Sequence, residues 1–141
     1  MQAQTTLVFT GLWIILVTWL IQWAVAAAVK AKQADAVPGK VPQGLSHDSL
    51  VFRCHRTFMN SLENVPMFVA TVFLALFLGL QSEWFGYWVV VFAVARILHM
   101  ILYYTIATEK NPSPRSWFFA LGAVANIAIL VQCAMQLWSM Y

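Results

Sequence analysis

Arg53, Arg56, Asn60, Glu63 and Asn64 gather at the start of a long apolar stretch. On an α-helix they share one arc roughly 100° wide. Arg96, His99 and Tyr103 share a second face in the same way. Such groups are expensive inside a bilayer and mark functional sites. An arginine fork suits carboxylates or phosphates. Glu63 is the one acid within the apolar part of any span, so it is the expected counter-ion of Arg96. That pair would be buried and would fix helix register. It would offset the cost of a mid-span arginine, about 2.5–3.5 kcal/mol. Arg53, Arg56 and Arg115 are then left with only Asp48 and Glu109, both near the surface. A cationic pocket for an anionic ligand follows. Lipid headgroups can engage the same arginines, although Asn60 and Glu63 lie roughly one to two turns deeper than headgroups reach. Cys54 and Cys133 form no metal or redox motif and read as buried thiols, and no metal site is expected at His47 and His55.

The elements that must hold these groups follow from composition. Of the 141 residues, 62% are hydrophobic, against eight Lys+Arg and five Asp+Glu. A soluble domain carries about 25% charged residues. A chain this short cannot bury so much apolar surface against itself. A soluble globule, a disordered chain, a nucleic-acid binder and a disulfide-stapled secreted module are thereby excluded. Crossing a bilayer takes about 20 apolar helical residues. The stretches with few or no charges place spans near 6–29, 50–80, 84–107 and 115–138. The expected fold is an all-α integral membrane protein, a bundle of four transmembrane helices in one domain over 1–141. The first span has no basic residue before it and exceeds a signal peptide's apolar core of about 7–15 residues, so a retained helix is expected.

Pro38, Gly39, Pro42 and Gly44 mark the first loop, Gln81-Ser82-Glu83 the second and Asn111-Pro112-Ser113-Pro114 the third. Asp48 and Glu83 are expected to cap helix ends, and Asp35 flanks a span. Lys30, Lys32 and Lys40, with Lys110 and Arg115, predict that loops one and three face the cytoplasm. Both termini then face the other side, where Trp84, Tyr87, Trp88, Trp138 and Tyr141 form an aromatic belt.

The run Arg53-Cys-His-Arg56-Thr-Phe-Met-Asn60-Ser-Leu-Glu63-Asn-Val-Pro66-Met-Phe68 resembles the second-helix signature of the MAPEG family. These are the membrane-associated proteins of eicosanoid and glutathione metabolism. The pattern is Arg-x-x-x-Asn-x-x-Glu, often followed by x-x-Pro. Arg96-Ile-Leu-His99 with Tyr103 resembles the family's third helix, and Pro114-Arg115-Ser116 the start of its fourth. The resemblance implies a four-helix protomer assembling as a homotrimer, with glutathione bound between protomers near the cytoplasmic side. It implies that Arg53 and Arg56, with Lys30 or Lys32, hold the carboxylates. Glu63 and Asn60 would take the amine and amides, and His99 and Tyr103 would close the site. Arg115 would stabilise the thiolate, with Ser116 as a second donor. The thiolate would attack a lipophilic electrophile or lipid hydroperoxide in the bilayer. Phe119 stands where several members carry Tyr, and a Lys is the nearest replacement for a first-helix Arg of some members. The implied activity is that of a glutathione transferase or peroxidase. The alternatives are a non-enzymatic lipid-presenting protein of the lipoxygenase-activating type and a glutathione-dependent lipid-peroxide isomerase. The implied partners are glutathione, a hydrophobic small molecule or lipid, membrane lipids and sister protomers, with no nucleic acid.

Overall fold

Four helices carry most of the chain: α1 (Gln2–Ala31), α2 (Leu50–Phe77), α3 (Glu83–Thr105) and α4 (Pro114–Trp138). The computed structural model describes residues 2–34, 36–37 and 39–141, with side chains from Gln4 onward. The expected turn residue Pro38 and the flanking charge Asp35 lie outside the described residues. All four helices are long and apolar enough to cross a membrane. The fold is all-helical, as the composition required.

Helix ends depart from expectation for local reasons. α2 stops at Phe77 instead of near 80. Gly79 takes the left-handed conformation at φ 65°. Its N–H donates to the Leu76 carbonyl, and that of Leu80 donates to Ala75, each at 3.0 Å. This is a Schellman end, which needs a residue without Cβ at that position. Asp48 and Glu83 do not supply the caps. The Ser49 hydroxyl accepts from the Phe52 N–H at 3.5 Å, and the Ser82 hydroxyl from the Trp84 N–H at 3.2 Å. The half-in position is the one whose side chain reaches the free N–H groups of the first turn. Asp48 precedes that position. Glu83 follows it, and its charge there complements the helix dipole.

α2 and α3 each touch all the other helices, whereas α1 and α4 do not meet among the described residues. Val8, Leu12 and Ile15 of α1 join Val65, Phe68 and Val72 of α2, Val89 and Phe92 of α3, and Ala125 and Ile129 of α4 in one core. Phe68 and Phe92 stack with centroids 3.6 Å apart. Cys54 and Cys133 are free and buried.

α1 and α3 run parallel, because Gln4 lies against Gly86 and Gly11 against Val89. A Cβ on Gly86 would stand 2.5 Å from Gln4 Oε1, 3.0 Å from Leu7 Cβ and 3.2 Å from the Gln4 carbonyl oxygen. Gly86→Val is therefore expected to cost about 1–3 kcal/mol by forcing α1 from α3. It should lower the thermal midpoint in detergent by several degrees, and an unchanged midpoint would refute this close approach.

The parallel pair fixes the rest. The end of α1, the start of α2, the end of α3 and the start of α4 gather at one end of the bundle. The chemistry-bearing residues of the sequence lie there.

Candidate functional site

Arg115 stands in the first turn of α4, just past the helix-starting Pro114. Its Nη2 donates to the Thr108 carbonyl at 3.0 Å. Its guanidinium carbon lies 4.1 Å from the centre of the Tyr103 ring, in cation–π geometry. Its Nη1 is buried and has no partner. The cation is thus held on two sides and keeps one donor unused.

Tyr103 is buried in the last turn of α3. Its hydroxyl lies 3.1 Å from His47 Nε2. His47 is bound twice by Glu109: the backbone N–H reaches Oε1 at 3.0 Å, and Nδ1 lies 2.7 Å from Oε2. This joins the first loop to the third. Arg53 reinforces the joint. Its Nη1 donates to the carbonyls of His47 at 2.6 Å and Asp48 at 2.9 Å, and its Nε to the Tyr104 carbonyl at 3.4 Å.

The hydrogen bonds from His47 hold the Glu109 carboxyl below the ordinary carboxylate range, with smaller help from the charges of His47 and Arg115. A lowered folded-state value means stability that is present above the unfolded value and lost as pH falls through the folded one. The clip should therefore persist at pH 4.5, the ordinary midpoint, and open only below it. The carboxyl carbon resonance of Glu109 should titrate with a midpoint under 4.5. A midpoint at or above that value would show that the clip is not formed.

A family model described as MAPEG family matches residues 6–135, nearly the whole chain. The chain belongs to the MAPEG family. Membership supports, in broad terms, a membrane function connected with glutathione. No curated protein and no solved structure matches the chain.

In this MAPEG chain the expected site residues fall into separate groups. His99, Tyr103 and Arg115 come together: the His99 and Tyr103 rings are 5.5 Å apart, and His99 feels the charge of Arg115. Arg56 and Glu63 are exposed on α2. Asn60 Oδ1 is buried without a partner, while the Asn60 carbonyl accepts from Asn64 at 2.7 Å. Lys30 lines a cavity of about 1100 Å³ between the end of α1 and the first loop, with Lys40, and lies in electrostatic range of His55. Lys32 is exposed. The Ser116 hydroxyl accepts from the Ser113 N–H at 3.2 Å and meets the Ser113 hydroxyl at 3.2 Å. It is used to start α4.

The expected Arg96–Glu63 ion pair does not form within the chain. Arg96 is 2% exposed and donates its Nη2 to the Ser61 hydroxyl at 2.7 Å. Two helical residues subtend about 200°, so a helix that turns Ser61 toward α3 turns Glu63 outward. Sequence reading also passed over His47 and Glu109 as site residues. They are 62 positions apart, and only helix packing brings them together.

Proposed function

We propose that the chain is a membrane-embedded glutathione transferase, with peroxidase action on lipid hydroperoxides, working as a homotrimer. The observation that carries this reading is Arg115, a fixed cation with a buried, unused Nη1. Glutathione fits such a group, since its thiolate is an anion and its two carboxylates need further cations. When bound, it would supply the nucleophile for transfer to an electrophile. Arg115 favours the ionised thiol by placing positive charge beside it. His99 and Tyr103 flank the place where the sulfur would lie.

Arg56 and Glu63 have their use in the assembly. Glu63, Pro66, Met67, Ala70, Phe73, Leu74 and Phe77 are all exposed along α2. Their spacing of threes and fours is a seam for helix association. A sister protomer packed there would meet Arg56 and Glu63 at the site end, so that two copies complete one carboxylate- and amine-binding site. The lysines of loops one and three support placing this end at the cytoplasm.

The test is stopped-flow absorbance of the thiolate on mixing purified protein with glutathione, followed by turnover of a chlorinated nitrobenzene. A thiolate band with turnover is expected. No band and no turnover, with no thermal stabilisation by glutathione, would overturn the reading in favour of a lipid-presenting protein.

A further inference from the structure

We propose that Tyr103, His47 and Glu109 form a proton relay that carries a ligand's thiol proton from Arg115 to the aqueous surface. This rests on the glutathione reading and adds to it the route by which the proton leaves.

The geometry sets the direction. Glu109 Oε2 lies 2.7 Å from His47 Nδ1, and a carboxylate, which only accepts, favours a proton on that nitrogen over a lone pair facing it. In the neutral ring Nε2 then bears the lone pair. The Tyr103 hydroxyl, 3.1 Å away, donates to it. The phenol oxygen keeps lone pairs free for a donor on its other side. That donor would sit beside the Arg115 guanidinium, whose Nη1 is buried without a partner. The guanidinium lies over the Tyr103 ring, 4.1 Å from its centre, so proton acceptor and cation stand side by side. Exposure rises along the chain of groups, from Tyr103 at 9% to the side chains of His47 at 18% and Glu109 at 67%. Arg53 holds the His47 carbonyl and so keeps the ring in place.

In the transfer, the ligand's S–H bond breaks and its proton bonds to the Tyr103 oxygen. The original Tyr103 proton passes to His47 Nε2. The electron pair stays on sulfur, next to Arg115. The imidazolium, beside the Glu109 carboxylate, loses one proton to water. One proton has moved from sulfur to solvent, with no oxidation or reduction. His47 acts through Tyr103 and is a positioning and relay residue, not one that touches the ligand.

Two measurements test this. The first is ring ¹⁵N NMR of His47 in the detergent-solubilised protein without ligand. A proton on Nδ1, with a tautomer population that changes in Glu109→Gln, is expected. A ring protonated on Nε2 would overturn the relay. The second is the rate of thiolate appearance in stopped flow. Tyr103→Phe and His47→Asn should slow it by a factor of about 10². In His47→Asn, glutathione affinity and final thiolate amplitude should stay within about twofold. Added imidazole should restore the rate of His47→Asn. A wild-type band with unchanged rates in both variants would overturn the relay alone. Absence of the band in the wild type would overturn the glutathione reading itself, and the relay with it.

Discussion

Replacing Arg115 with alanine should lower glutathione-dependent turnover by a factor of about 10²–10³, the loss found when one preorganised donor to a developing anion is removed. The donor here is preorganised in a specific sense. The Thr108 carbonyl and the Tyr103 ring hold the guanidinium in place. Arg115→Lys should recover only part of the activity. An ammonium is a point charge and cannot hold the carbonyl, cover the ring and present a further donor in one plane. The thiolate band should fall in step with turnover. Turnover of Arg115→Ala within about threefold of the wild type would remove Arg115 from the mechanism.

The second large effect concerns the core. Phe68→Ala should destabilise the protein by about 3–5 kcal/mol. Phe68 is fully buried and stacked on Phe92 at 3.6 Å. Gly122 lies against the Phe92 ring and has no side chain to move into the void. Three helices, α2, α3 and α4, thus lose their common filling at once. Phe9→Ala is the matched control. It removes the same ring from α1, where the residue is 53% exposed, and should stay within about 0.5 kcal/mol. Thermal unfolding in detergent compares the two, and equal losses would refute the assigned core.

The helices were legible because lipid imposes a length and forbids charge, and both constraints are written in the residues. The polar stripe on α2 was legible for the same reason. What each arginine touches was not. The 100° rule put Arg53 and Glu63 on one face, but it says nothing about which neighbour that face meets. Arg96 finds a serine hydroxyl, and Arg53 finds three backbone carbonyls, which no side-chain pattern announces. The clip between His47 and Glu109 spans two loops and leaves no periodic trace. Arg115 stands out in the sequence as a cation without a matching acid and through the resemblance, while its cradle of Thr108 and Tyr103 depends on how the third loop folds back.

The left-handed turn at Gly79 has a consequence for how the molecule can be handled. It lies at the opposite end of the bundle from Tyr103, Arg115 and the clip, beside Gln4 and Thr5 of α1. Cutting the chain there would leave two helical hairpins, α1–α2 and α3–α4, with each site residue intact on one piece or the other. The short link at 79–82 is therefore the place to split the protein for fragment complementation, or to insert a reporter, with the least disturbance to the chemistry.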